Sequence, residues 1–153
     1  RPGGQADDRG DGHGGKDHGT KSLDGLNYLE KNLTLSTAQM LNTYLQGFGY
    51  KTVMTRRDDL FVPLKERAEF ANQKQPKLFV SVHYNAAENT KASGIEVYYY
   101  EGEGNKERSS KSKTLAANVL EGVISNTKAK SRGVKHGNFA VIRETKMPAV
   151  LVE

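Results

Sequence analysis

The chain has 153 residues, 35% of them hydrophobic and 27% charged, with 23 Lys+Arg against 18 Asp+Glu and no cysteine. That length favours one domain. No apolar run approaches the roughly 18 residues that cross a bilayer, and zero Cys excludes disulfide scaffolds, Cys-ligated zinc, iron–sulfur clusters and thiol nucleophiles.

The net charge of +5 is local, because residues 106–135 alone sum to +6. Such a segment can steer toward nucleic acid, anionic lipid or an acidic cell wall, or can be no more than a solvated helix face and loop. No aromatic residue is interleaved with its lysines, which argues against nucleic acid as a partner.

In chain order, residues 1–11 form a hydrophilic N-terminal segment, and the Gly- and Asp-rich stretch continuing to about Lys21 reads as loop. Ala38, Leu41, Leu45 and Phe48 recur at helical spacing, predicting an amphipathic helix over Leu33–Phe48 that Gly47 and Gly49 stop. A short strand is expected at Val53–Thr55, and a second helix from Pro63 to about Asn72, where Pro suits the first turn. Leu78–Val82 has the composition of a strand covered on both faces, and Gly94–Tyr100 is the next strand. Glu101–Ser112 reads as a charged loop and Thr114–Thr127 as a helix with Leu115, Val119 and Val123 on its apolar side. Phe139–Ile142 and Ala149–Val152 are expected as closing strands. The alternation predicts an α/β single domain, with a mostly parallel or mixed twisted sheet flanked by helices and a site at the carboxyl ends of the strands.

Three places can carry chemistry. In Gly12-His13-Gly14-Gly15-Lys16-Asp17 the glycines let the backbone turn sharply around a reachable imidazole, which is either a metal ligand or a solvated histidine. Glu30 stands before the first predicted helix, either as a ligand or as an acidic residue favoured by the helix dipole. His83, in Ser81-Val82-His83-Tyr84-Asn85-Ala86, follows a buried strand at the edge where α/β sheets bind ligands, although a histidine satisfied by backbone fits the same place. Two His and one carboxylate make the donor set of a catalytic zinc with a position left for water, and a further carboxylate could take that water's proton. Spread from His13 to His83, these residues form no local signature.

Seven blocks in order complete the reading. They are Gly12–Asp17, Glu30–Leu33, Thr55–Asp59, Leu64–Arg67 with Ala71-Asn72, Ser81–Ala86, Arg132–Lys135 and Val141–Glu153. Together they resemble the zinc-dependent N-acetylmuramoyl-L-alanine amidases of the amidase-3 family, bacterial cell-wall hydrolases. The resemblance implies that residues 12–153 are a catalytic domain cleaving the amide between N-acetylmuramic acid and L-Ala in peptidoglycan. It implies Zn2+ held by His13, Glu30 and His83, with Glu153 as general base to zinc-activated water. Asn85 and Arg143 lie in matching blocks and are candidate substrate contacts, whereas His18 and His136 match no ligand position. Localisation in the periplasm or outside the cell follows from the same resemblance.

The family pattern departs at two places: it carries an apolar strand before the Gly-His-Gly-Gly block, and it continues past the catalytic glutamate. The expectations are therefore either a sheet short of one strand or an altered N-terminal segment, together with a domain truncated at its C-terminus, and the alternative function is an inactive homologue that binds peptidoglycan. Ala86–Ser93 is too short to hold an autoinhibitory helical insertion, so an open site is expected.

Overall fold

The apolar run at Ala149–Val152 is covered on both faces. The run at Leu78–Val82, expected to be covered likewise, leaves Leu78 and Val80 exposed at 51% and 39%, since a strand in a mixed sheet can turn one face to water. The computed structural model describes residues 14–19, 29–84 and 93–153. The hydrophilic start, His13, Asn85 and nearly all of the Ala86–Ser93 connection lie outside the described residues. In chain order the elements are α1 (Glu30–Gly47), α2 (Leu64–Lys74), β1 (Phe79–Val82), β2 (Ile95–Tyr99), α3 (Lys106–Thr127), β3 (Ser131–His136), α4 (Ala140–Arg143) and β4 (Ala149–Val152). No described helix is long and apolar enough to cross a membrane. The described chain divides into two compact units, residues 64–81 with 93–153, and residues 14–19 and 29–63 with 82–84.

The first unit holds a sheet of strand order β1-β4-β2-β3. β2 pairs parallel with β3, opposing Val97 to Val134, and antiparallel with β4, opposing Tyr98 to Leu151. The sheet is therefore mixed, as expected, and β4 ends where β2 begins. Strand alternation sorts the side chains. Val97, Tyr99 and Val150 meet Ala116 and Leu120 of α3 on one face. On the other, Ala149 and Leu151 pack with Val141 and Ile142 of α4, joined by Leu64, Phe79 and Phe139. Val97, Ile142 and Val150 are fully buried, and each such side chain contributes about 1.5–3 kcal/mol through removal from water.

Several expectations change here. α3 begins at Lys106, so Lys106–Ser112 is helix where a loop was expected. Asn105 caps it by accepting the Arg108 amide at 2.9 Å. Its buried stripe is Ser109, Ser112, Ala116 and Leu120. The first two positions of that stripe are small and polar, so no apolar periodicity shows in the sequence. Ser112 is buried because its Oγ accepts the Ala149 amide at 3.1 Å. β3 was not expected, its basic residues concealing a strand edge. Ala140–Arg143 is one helical turn and not a strand, since an apolar run of four residues fits either period. Val53–Thr55 is not a strand: Val53 is 50% exposed, and no described neighbour offers it a ladder.

In the second unit, α1 starts three residues earlier than its periodicity predicted. Its buried residues are Glu30, Lys31 and Thr34, while of the apolar stripe Ala38 and Leu45 are half-buried and Leu41 and Phe48 are exposed, Phe48 at 74%. The helix stops as expected, with Gly49 at φ +83° and its amide on Gln46 O at 2.9 Å.

Candidate active site

Glu30 and His83 come from segments 53 residues apart in sequence and are brought together in the second unit. Glu30 opens the first turn of α1, where the helix dipole favours a carboxylate. His83 is the residue after the last residue of β1, the carboxyl-end position expected from sequence. His83 Nδ1 lies 3.4 Å from Glu30 Oε1, with the two side chains only 8% and 3% exposed. The Tyr84 amide donates to the same Oε1 at 3.1 Å, and the Tyr84 hydroxyl shares a 2.6 Å hydrogen bond with Thr37 Oγ1 farther along α1. Two ties thus fix the segment after β1 to the helix that carries Glu30.

The donor set suits zinc. Two donors on one tetrahedral zinc, each at about 2.0–2.1 Å, stand about 3.3–3.4 Å apart, and the nitrogen and oxygen here match that edge. The amide on Glu30 is the kind of outer contact that orients a ligating carboxylate. The described residues contain no group of three metal-ligating side chains; the expected third donor, His13, lies outside them and directly precedes Gly14.

The loop that follows His13 is described from Gly14 to Gly19. Gly14 and Asp17 exchange backbone hydrogen bonds of 3.2 and 3.0 Å, and Asp17 Oδ1 accepts the Gly19 amide at 3.1 Å. Gly14 has φ +105°, and a Cβ there would stand 2.3 Å from the Leu60 carbonyl oxygen, so only glycine fits. This is the turning role expected of the glycines. The His18 side chain is exposed, and its carbonyl accepts the Lys31 amide at 3.3 Å, supplying the N-terminal cap of α1 that Leu29 has no side chain to give.

Glu153 belongs to the first unit. Its amide and carbonyl exchange hydrogen bonds of 2.9 and 2.7 Å with Glu96, making the two residues directly opposed on one face of the antiparallel pair. Glu96 is 5% exposed. Its carboxylate accepts from Tyr98 Oη at 2.6 Å, Arg132 Nε at 3.0 Å, and Lys135 Nζ. Burial alone would push its proton affinity up, but the hydrogen bonds from Lys135, Tyr98 and Arg132 outweigh that and hold its pKa at about 2. Burial, the hydrogen bond to Glu96 and the charges of Glu96 and Glu153 raise the pKa of the Tyr98 phenol.

The approach to β4 is also held. Arg108 donates to the carbonyls of Ile142 and Met147, the latter at 2.9 Å, and Asn72 brackets the turn through Glu144 O at 2.9 Å and the Lys146 amide at 2.8 Å. Arg143, in α4, donates to Glu144 Oε1 at 2.7 Å and Asn138 Oδ1 at 2.8 Å. His136 is exposed, its Nδ1 accepting the Glu101 amide at 3.3 Å.

Sequence reasoning assigned no role to Lys31, Arg56, Asp59 or Glu96. The only signal available was position: Lys31 follows Glu30, and Arg56 and Asp59 fall within one of the seven blocks.

Comparison with known proteins identifies the family. The profile of the family described as N-acetylmuramoyl-L-alanine amidase matches residues 11–153. N-acetylmuramoyl-L-alanine amidase LytC of Bacillus subtilis is 37% identical over 142 residues, covering 93% of this chain and 27% of LytC. The catalytic domain of CwlV, an N-acetylmuramoyl-L-alanine amidase from Bacillus (Paenibacillus) polymyxa var. colistinus, superposes with a TM-score of 0.82 at 37% identity, covering 93% of this chain and 75% of that one. An N-acetylmuramoyl-L-alanine amidase from Clostridium difficile 630 gives a TM-score of 0.80 at 38% identity, with coverages of 93% and 74%. The chain spans 27% to 65% of the length of the first curated relatives it matches.

Proposed function

The chain belongs to the amidase-3 family of N-acetylmuramoyl-L-alanine amidases, and from that premise we propose that it hydrolyses the amide between N-acetylmuramic acid and L-Ala in peptidoglycan, in a zinc-dependent reaction at the cell wall. The observation that carries this reading is the buried pair Glu30–His83, whose 3.4 Å separation suits two donors of one metal. His13, Glu30 and His83 would hold the ion. When bound, zinc supplies Lewis acidity that brings a water's pKa to about 7 and polarises the scissile carbonyl.

The remaining work falls to the protein. The backbone bonds to Glu96 fix where the Glu153 side chain emerges from β4. Its carboxylate accepts a proton as water oxygen attacks the carbonyl carbon, and returns it to the L-Ala nitrogen as the C–N bond breaks. The products are a free lactyl carboxylate on the muramic acid and a free amine on the stem peptide. Asn85 and Arg143 are proposed to contact the substrate.

Mass analysis of fragments released from purified peptidoglycan tests this reading. Chelator-sensitive release of stem peptides beginning with L-Ala is the expected result. Cleavage inside the stem peptide, or co-sedimentation with sacculi without cleavage, would contradict it.

A further inference from the structure

Three charged side chains close to Glu30 in sequence or in space have no part in the chemistry above, and they are among the best-connected groups of the second unit. Lys31 is 7% exposed and Arg56 is 9% exposed. Burying a cation is costly unless its donors are satisfied, and main-chain carbonyls are among the acceptors of both. Lys31 Nζ donates to Gly15 O at 3.0 Å and to Asp59 Oδ2 at 2.6 Å. Asp59 Oδ1 in turn accepts the Gly15 amide at 2.8 Å. Both polar backbone atoms of Gly15 are thus taken up by one ion pair. Arg56 continues the network, donating from Nη2 to Lys31 O at 2.6 Å and Thr34 Oγ1 at 3.1 Å, and from Nη1 to Asp58 O at 3.0 Å.

The elements joined in this way are those that bear the proposed donors. Gly15 lies two residues after His13, and Lys31 one residue after Glu30. The same loop reaches α1 a second time through the His18 carbonyl on the Lys31 amide. It also lies so close to Leu60 that Gly14 admits no Cβ. The Asp59 end of the pair is 51% exposed, and solvent there screens its contribution to stability. What its two oxygens add is registration of one backbone loop against one helix turn.

We infer that Asp59, with Lys31 and Arg56, is a positioning residue of the metal site: the network registers the loop entered from His13 against the turn that opens on Glu30, and so sets zinc affinity while supplying no donor. This inference rests on the reading of His13, Glu30 and His83 as the donors.

Asp59→Ala and Asp59→Asn, made in the full chain, test it through zinc dissociation constants measured by competition with a chromophoric chelator. Outer contacts of this kind are worth about 10- to 100-fold in metal affinity, so Asp59→Ala should bind zinc at least about tenfold more weakly. Exchange of the Gly15 amide hydrogen should accelerate in the metal-free Ala variant, and its melting temperature should stay within about 5 °C of the parent. Asn keeps an acceptor for the Gly15 amide and should lose about two- to fivefold. Unchanged affinity in the Ala variant, or an equal loss in both variants, which would point to charge alone, overturns the inference. Should Ala fail to fold, the Asn variant decides: a two- to fivefold loss supports the network and no loss overturns it. His83→Ala serves as the control for the underlying reading, because retention of zinc there defeats the donor assignment and not the network.

Discussion

Two charge clusters lie beside the two halves of the proposed chemistry, and they are built in opposite ways. Around Glu30, the buried groups are cations, and they are satisfied largely by backbone carbonyls: Lys31 by Gly15 O, Arg56 by Lys31 O and Asp58 O. Beside Glu153, the buried group is an anion, Glu96, and it is satisfied by side chains: Tyr98, Arg132 and Lys135. A cation bonded to carbonyls ties stretches of main chain to each other, so its loss should displace the backbone that presents metal donors. An anion bonded to side chains across strands leaves the ladder to the sheet and adds charge balance, so its loss should alter pH response and stability and leave metal binding unchanged.

The largest expected effect separates the halves outright. Glu153→Gln should retain zinc and lose about 10²–10⁴-fold in hydrolysis, the usual contribution of a general acid–base group, measured as amide cleavage of purified peptidoglycan. Hydrolysis near the parental rate would remove Glu153 as the base. The next effect is on stability. Folding lowers the Glu96 pKa from 4.5 to about 2, so its contribution is complete above about pH 4.5 and fades as pH falls toward 2. Glu96→Gln should therefore be about 1–3 kcal/mol less stable at neutral pH and show a flatter loss of stability between pH 5 and pH 2, followed by urea unfolding. Its zinc affinity should match the parent. A Glu96 variant that binds zinc more weakly would break the contrast between the clusters, just as an Asp59 variant with unchanged affinity would.

The contrast also shows what the sequence could convey. Leu78–Val82 and Ala149–Val152 announce themselves as strands by their apolar, β-branched composition, and position His83 and Glu153 at their ends, although only Ala149–Val152 is covered on both faces, Leu78 and Val80 being exposed. α2 was legible from Pro63 and its spacing. The start of α3 was not, because Ser109 and Ser112 fill its buried stripe and interrupt the apolar period. β3 was concealed by residues whose charges are neutralised only once Arg132 and Lys135 meet Glu96 across the sheet. The one-turn helix at Ala140–Arg143 and Val53–Thr55, which has no strand partner among the described residues, depend on tertiary neighbours that four or three residues cannot specify. In the site, Glu30 and His83 were readable as candidate donors from residue type and the order of blocks. The Lys31–Arg56–Asp59 network was not, since its members span 29 residues and read singly as surface charge. Only the fold shows that Lys31 and Arg56 are buried and which backbone they hold.

The central claim is that Glu30 and His83 share a metal with His13. The most direct measurement is the zinc content of the protein after equilibrium dialysis against micromolar zinc, for the parent, Glu153→Gln and His83→Ala. One zinc per chain in the parent and in Glu153→Gln, and loss of it in His83→Ala, is the predicted result. Full zinc occupancy in His83→Ala, or none in the parent, would contradict the account.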